Sequence, residues 1–511
     1  MAYSPTLMSK PTPAQRDSEN FNSVPFDAVL EQPAYLTNLT QLLDEKDDTK
    51  ALQYCIEHFV DKSKLTSAKT VRNALLRLVA DLDEQINEQV NHIIHHPRLQ
   101  KLEASWRGLW LLVKQAEGYR SIKIKVLDMR WTEVVKDISK AMEFDQSQLF
   151  QKIYSDEYGT PGGEPYGAII GDYEISHRIS KEHPTDDIST LAGIAQIAAA
   201  SFSPFIAAAA SDLFGMDDFS GLGQPIDYEK IFTQTEYIKW NTLRKSADTR
   251  FVGLALPKIL MRRPYQTTMG SYKGINFYEK SSANGENNLW GNACYAFGCI
   301  LIREFADIGW FGHIRGAPRN QLSGGVFKEL AVDSHATDAN DIAFKPTTNV
   351  IITDAIEKNI SELGFIPLCQ GYLSPYTTFY NNQSIHKPKK YNNLDVNTNA
   401  KISSMLQHVL CGARISHFIK LMVRDKIGSF ISADKCEDYI RQWLMKYTTG
   451  SEDLDWQEQA KYPLKEGYVR VKEHPNKPGH YLCVIHIQPH YQLDQMVSEL
   501  ELVTELASFR K

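Results

Sequence analysis

Apolar residues recur along this chain at two periods, and each change of period marks an element. From Val71 to Ile94, Leu75, Val79, Leu82, Ile86, Val90 and Ile93 fall at helical spacing with acids and amides between them. After His95 and His96, Pro97 suits the first turn of a second helix, because that position needs no N–H donor and the ring already holds a helical φ. Leu99, Leu102, Trp106, Leu109 and Val113 follow at 3, 4, 3, 4 spacing with Trp110 beside them, and Gly118 stands where a left-handed cap would end the helix. Two tryptophans on or beside one stripe predict a large buried contact, so Pro97, Leu99, Leu102, Trp106, Leu109 and Trp110 read as core. Ile122, Ile124 and Val126 then alternate with Lys123 and Lys125, the period of a half-exposed strand. This switch gives a mixed α/β domain and an α+β chain.

Residues 191–214 are apolar chiefly through alanine, carry Gln196 and several serines, and are interrupted by Pro204. They predict two alanine-rich helical pieces broken at the proline, not a membrane span. Residues 158–171 and 215–225, rich in glycine and proline, read as flanking loops. Phe251-Val252-Gly253-Leu254-Ala255-Leu256, closed by Pro257, reads as a buried strand, and residues 293–305 as a buried helix. The interval 371–399, dense in Asn, Tyr, Pro and Lys, reads as the linker between two domains, followed by helices over 402–427 and 437–447. Tyr468-Val469-Arg470-Val471-Lys472 and residues 481–488 flank Pro475-Asn476-Lys477-Pro478-Gly479, the pattern of a hairpin with a longer loop. The last stretch fits two periods: Leu493, Met496, Leu500 and Val503 suit a helix, whereas Met496, Ser498, Leu500 and Leu502 line one face of a strand. The organisation expected is an arm over 1–64, an N-terminal α/β domain over 65–385 and a C-terminal domain over 386–511.

Composition narrows the function. At 511 residues the chain exceeds one ordinary core, and 56 Lys and Arg against 62 Asp and Glu leave a net charge of −6. That balance provides no basic field for nucleic acid. Residues 1–16 are polar, hold three prolines and lack the apolar centre of a secretion signal. The cysteines at 55, 294, 299, 369, 411, 436 and 483 are odd in number and without CxxC spacing, as expected for reduced thiols in the cytoplasm.

The P-loop pattern GxxxxGK[ST], the dinucleotide pattern GxGxxG and the nucleophile elbow GxSxG are absent. His92 and His96, with His95 between, sit one turn apart and could share a metal, but the glutamate of HExxH is missing and they read as polar residues at a helix junction. Asp172, Glu174, Asp186 and Asp187 could be drafted as acid/base carboxylates, although loop acids are ordinarily solvated. Arg262 and Arg263, and Lys387, Lys389 and Lys390, are small basic clusters that read as solvated faces or contacts for acidic partners. No constellation builds an active site, so neither catalysis nor a metal or cofactor is expected.

The run His95-His96-Pro97-Arg98-Leu99-Gln100-Lys101-Leu102-Glu103-Ala104-Ser105-Trp106-Arg107-Gly108-Leu109-Trp110-Leu111-Leu112-Val113 closely resembles the signature of the large subunit of the type VI secretion contractile sheath, the TssC, VipB or EvpB family. The likeness continues through Gly171-Asp172-Tyr173-Glu174, Pro204-Phe205-Ile206, Leu254-Ala255-Leu256-Pro257, Arg263-Pro264-Tyr265, Trp290-Gly291-Asn292-Ala293 and Gly309-Trp310. In the second domain it takes in Arg414-Ile415-Ser416-His417-Phe418-Ile419-Lys420, Lys477-Pro478-Gly479-His480-Tyr481 and Pro489-His490-Tyr491-Gln492-Leu493.

The resemblance implies a multidomain contractile-sheath fold and a structural subunit. It would pair with a small subunit of the TssB or VipA type, stack with itself in helical rings around an Hcp-like inner tube, and contract to propel that tube for effector delivery. It further implies baseplate components, a ClpV-type ATPase acting through the sheath complex, and a bacterial cytoplasmic location on a membrane-anchored baseplate. Strand exchange between protomers in the family makes the terminal stretch a strand and points to Tyr468, Val469, Val471, Tyr481, Cys483, Ile485, Ile487, Leu500 and Leu502 as assembly residues. On this reading, cutting the chain after Gly467 abolishes assembly and leaves the first domain folded. The alternatives are a sheath subunit of another phage-tail-like contractile particle and a hydrolase using Asp172 or a metal at His92 and His96.

Overall fold

The computed structural model describes residues 36, 38–59, 68–160, 162–224, 226–266, 276–282, 285–317, 323–333, 345–371, 374–425, 433–451, 460–473, 481–490 and 500–506. The chain divides into two compact units, one of Met1–Ile93 with Tyr265–Glu279 and one of Ile94–Pro264 with Lys280–Lys511. Among the described residues no helix is long and apolar enough to cross a membrane. All seven cysteines are free thiols.

In the first unit, α1 (Asp48–Phe59) precedes the long α2 (Ala68–Ile94). The buried side chains on the second half of α2 are not the predicted stripe but Asn87 and Asn91, while Val79, Leu82, Ile86 and Ile93 are exposed. The two amides hold the segment around Tyr278 by its backbone. Asn87 Nδ2 donates to the Asn276 carbonyl at 2.8 Å and Asn87 Oδ1 accepts from the Tyr278 N–H at 3.0 Å, while Asn91 Nδ2 donates to the Tyr278 carbonyl at 3.1 Å. Side chains here satisfy backbone groups of a segment that has no strand partner among the described residues.

The second unit begins with α3 (Pro97–Ala116), capped by His96, whose Nδ1 accepts from the Arg98 N–H. Gly118 takes φ 88° just beyond its end, as its position predicts. Next come α4 (Trp131–Lys140), β1 (Ile169–Ile175), α5 (Asp187–Ser201), β2 (Phe205–Ala209), β3 (Val252–Leu256), α6 (Cys294–Ile308), β4 (Val326–Phe327), α7 (Asp354–Glu362), β5 (Ile366–Gln370) and β6 (Thr377–Phe379). The sheet order is β1-β2-β3-β5-β6-β4. The first four strands are parallel and the last two pairings antiparallel.

Both faces of this sheet are covered, so its central strands are continuously apolar. Phe205, Ala207 and Ala209 face a core with Val252, Leu254 and Leu256, α5 and the rings of Phe214, Trp240 and Phe365. Ile206, Ala255, Ile366 and Leu368 face the opposite core with α3 and α6. Residues 252–256 form the predicted strand and residues 294–308 the predicted helix.

Three readings need correction. The second alanine-rich piece is not a helix: Phe202 turns left-handed at φ 53°, and beyond Pro204 the alanines become the buried strand β2 between β1 and β3. Helix propensity favours alanine, but here small side chains are what let both helix layers close on a parallel sheet. The interval 371–399 is not a free linker. It contains β6, its residues 382–386 are buried, the Ile385 N–H donates to the Val252 carbonyl at 3.0 Å, and Arg244 Nε donates to the Ile385 carbonyl at 2.9 Å. Residues 122–126 do not form the predicted strand; they belong to no strand of the sheets among the described residues.

The chain ends with α8 (Leu406–Asp425), α9 (Ala433–Met445), β7 (Leu464–Glu473), β8 (Tyr481–Pro489) and β9 (Leu500–Leu506), the sheet running β9-β8-β7. The hairpin and terminal strand therefore form, while its loop at 474–480 and Leu493 and Met496 lie outside the described residues. Val469, Val471, Cys483, Ile485 and Ile487 close a core against Ile415, Ile419, Ile440 and Leu444.

The seating of α3 on α6 is set by two glycines. A Cβ at Gly108 would stand 2.3 Å from the Tyr295 ring, and one at Gly298 would stand 2.8 Å from Leu112. Gly108→Ala improves helix propensity, yet its overpacking should lower stability by about 1–3 kcal/mol. Urea denaturation of the full chain measures this.

Candidate assembly interface

The residues considered for chemistry hold the fold together. Asp172 accepts from Ser105 Oγ and from Asn292 Nδ2 at 2.8 Å, and Glu174 pairs with Lys258 at 3.0 Å. Asp186 caps α5, accepting from the Ser189 N–H and Oγ. Asp187 accepts from Trp131 Nε1 at 2.6 Å, Thr185 Oγ1 at 2.8 Å and the Ser176 N–H at 3.1 Å. Burial pushes the Asp187 carboxyl up, but His183 and these donors bring it below its ordinary value. Arg262 is buried with its Nε on Glu103 at 2.8 Å, beside Arg107 Nε on the same oxygen. Among the described residues no group of three or more His, Cys, Asp or Glu is placed to hold a metal.

The signature string in α8 is likewise structural. The Arg414 guanidinium lies 4.9 Å from the Phe305 ring centre and 4.4 Å from that of Phe418. Lys420 Nζ lies 4.6 Å from the ring centre of Phe202 and within 5.5 Å of those of Tyr154 and Tyr158, and burial pulls it down to about 8. Rings replace the solvent these cations lose.

The opening helix overturns the expectation of buried tryptophans. Its inward residues are Ala104, Gly108, Leu111 and Leu112. Leu102, Trp106, Trp110 and Val113 are exposed, Trp106 by 65% and Trp110 by 56%. The stripe starting at Leu102 is two residues out of step with that starting at Ala104, about 200° around the helix. α3 is thus apolar on opposite sides: the side with the small residues enters its own core, and the side with the large ones remains uncovered. The small stripe was readable in the sequence, but ring size outweighed it.

Leu102, Trp106 and Leu109 of α3 also line a cleft of about 1510 Å³, together with residues 120–129 and 164–173. A patch of large apolar side chains beside an open cleft is the signature of a surface that another chain covers.

The terminal sheet provides a second surface. Its register sets Cys483 opposite Val471 and Thr504, Ile485 opposite Val469 and Leu502, and Ile487 opposite Gly467 and Leu500. Val469, Val471, Cys483, Ile485 and Ile487 are the inward face of this chain's own core, whereas Tyr468 is exposed and stacks on His486 at 4.4 Å. Tyr481, Leu500 and Leu502 share that face's register. The Val471 N–H at the β7 edge donates to Glu437 Oε2 at 2.9 Å. The sheet ends at β9 with no further strand among the described residues.

Comparison with known proteins gives two family matches and one relative. Residues 76–386 match the EvpB/VC_A0108 tail sheath N-terminal domain, and residues 395–506 the EvpB/VC_A0108 tail sheath gpW/gp25-like domain. The type VI secretion system sheath protein TssC1 of Pseudomonas aeruginosa is 34% identical over 465 residues, covering 90% of this chain and 91% of that protein.

Truncating Trp106 and Trp110 to alanine should change the stability of the isolated chain by no more than about 0.5 kcal/mol each, against about 3–5 kcal/mol for buried tryptophans. Denaturant titration separates the two. Stability should also fall on mild acidification. Burial lowers His313 and His408 from 6.5 to about 4, and His417 to about 3. The unfolded chain takes up protons below about pH 6.5 that these sites refuse, a loss of up to about 1.4 kcal/mol per pH unit for each histidine. Glu304, raised by burial to about 8, acts oppositely, its contribution full below 4.5 and lost as pH rises through about 8. Three histidines outweigh one glutamate, so the melting temperature should decline from pH 6.5 to 5.

Proposed function

The chain belongs to the EvpB/VipB family of type VI secretion sheath proteins and is a structural large subunit of that contractile sheath, and on this footing we propose how it assembles and with what. The reading rests on one observation: α3 carries a tryptophan face that its own core leaves uncovered. The subunit works without catalysis, in the bacterial cytoplasm, by packing with a small sheath subunit and with copies of itself in helical rings. An Hcp-like tube runs inside, a baseplate anchors one end, and a ClpV-type ATPase acts on the assembled complex. Contraction is then a rigid-body rearrangement of packed subunits between two arrangements, with the energy stored in the extended one.

Two surfaces carry this assembly. The α3 face is a contact for the small subunit, since it is apolar and continuous with a cleft. The terminal sheet is the element shared between protomers, with Tyr468, Val469, Val471, Tyr481, Cys483, Ile485, Ile487, Leu500 and Leu502 on the strands involved. An added strand gains main-chain hydrogen bonds at an open edge. Residues 65–385 and 386–511 act as the two modules of the subunit, with 1–64 as an arm.

The core formed by β7 and β8 changes the test of the terminal sheet. Cutting after Gly467 would strip the cover from Ile415, Ile419, Ile440 and Leu444 and disturb the whole second module. Removing residues 500–511 leaves the hairpin in place. Co-expression of the full chain with its small partner should give tubes by electron microscopy, and the shortened chain should give soluble complexes without tubes. Discrete monomers from the full chain would overturn the assembly reading; normal tubes from the shortened chain would overturn the role of the last strand.

A further inference from the structure

Residues 244–250, which lead into β3, and residues 384–390, which follow β6, are laced together. The Lys387 N–H donates to the Arg244 carbonyl at 2.7 Å, the Ile385 N–H to the Val252 carbonyl at 3.0 Å, and Arg244 Nε to the Ile385 carbonyl at 2.9 Å. His386 Nδ1 stands 2.8 Å from the Ser246 carbonyl. These bonds bring together basic residues far apart in sequence: Arg244, Lys245 and Arg250 on one segment, Lys387, Lys389 and Lys390 on the other. The lysines that read as a solvated face thus sit on a segment bonded to one with three more cations, in a chain whose net charge is −6.

The charges are uncompensated. Among the described residues no carboxylate forms an ion pair with any of the six. Arg244 is only 3% exposed, yet Nε alone of its guanidinium nitrogens meets a protein acceptor. Its Nη2 lies against the bare backbone of Gly364, where a Cβ would stand 2.9 Å away. Arg250 Nε is buried and meets no acceptor among the described residues. The other buried cations are provided for: Arg262 has Glu103, and Arg414 and Lys420 have aromatic rings. Arg244 has neither, although an unpaired buried charge is costly.

The cations also crowd one another. Burial pulls Arg244 down to about 10 and lowers Arg250 as well. Burial, then the charges of Arg244, Lys390 and Lys245, hold the Lys387 amine below its ordinary value, with Glu229 acting in the opposite sense. His386 is lowered by burial and by Arg250 and Arg244. Both arginines therefore act on His386, and three cations act on Lys387, as they do around a place built to receive negative charge.

We infer that this cluster is an anion site, in which Arg244 and Arg250 hold one end of a small phosphate-type oxyanion and Lys387 and Lys390 hold its outer end. The ligand is small because Arg244 is 3% exposed, out of reach of another protein's acidic face. It is multiply charged because several cations face it, and it is an oxyanion because guanidinium forks match phosphate geometry. Two linked phosphoryl groups, as in pyrophosphate, suit a buried guanidinium end and a lysine rim. Bound there, the anion fastens residues 384–390 to residues 244–250 more firmly than their backbone bonds do alone.

The test is isothermal titration of the full chain with inorganic pyrophosphate at about 0.1 M salt, where exposed charges are already screened. Saturable binding is expected, with orthophosphate and citrate each at least tenfold weaker. Arg250→Gln and Lys387→Gln should each weaken pyrophosphate at least tenfold. Because each removes one of several crowded cations, the melting temperature of the ligand-free chain should stay unchanged or rise. Arg244→Gln also breaks the bond to the Ile385 carbonyl, so the other two variants carry the test. Absence of saturable binding, or undiminished binding by both variants, would overturn the inference. Citrate bound as tightly as pyrophosphate would assign the cluster to carboxylates and overturn its phosphate character. A ligand-free melting temperature that falls in both variants would make the cluster a structural support and overturn the inference equally.

Discussion

Tyr295 of α6 lies against Gly108 of α3, and Leu112 of α3 lies against Gly298 of α6. This reciprocal contact, a large side chain on a bare backbone in each direction, brings the two helices closer than any residue with a Cβ would allow. It fixes the rotation of α3 about its axis, and that rotation decides which apolar side faces out. The direction of the chain leaving α3 follows too. Filling either glycine would force the helices apart and turn the tryptophan face away from its position beside the cleft.

The elements of the chain were largely legible, because they depend on local spacing. Pro97 and Gly118 bracketed α3, the apolar run before Pro257 was β3, and the alternating flanks around residues 474–480 formed β7 and β8. What local spacing did not contain was which side of an element meets what. α3 has two apolar sides and the larger one is uncovered, because helices approach through small residues. Residues 205–209 have the composition of a helix and the place of a strand, since their neighbours β1 and β3 supply hydrogen bonds on both edges. Residues 382–386 looked like linker because they are mostly polar, yet the side chains of Gln383, Ser384 and His386 make buried hydrogen bonds. The family string was the more telling guide to function, and it reached a conclusion that no single residue's chemistry could have carried.

The described residues divide into a finished interior and unfinished surfaces. The polar groups singled out above serve internal contacts: Asp187 gathers donors from Trp131, Thr185 and Ser176, Arg262 reaches Glu103, and Lys420 is held among rings. The unfinished surfaces named above are apolar or main-chain: the tryptophans of α3 and, among the described residues, the end of the terminal sheet. Dense interiors with open edges suit a body that moves as a unit and changes only its contacts.

The bond from the Val471 N–H to Glu437 has a geometric corollary. It occupies part of one edge of the terminal sheet while the opposite edge, at β9, ends without a strand neighbour among the described residues. Two equivalent edges would favour a two-fold pair that closes on itself. An obstructed edge and an open one are different surfaces, and a contact made through different surfaces repeats in a single direction without closing. One carboxylate thus contributes polarity to whatever is built from this sheet, giving a growing array a head and a tail.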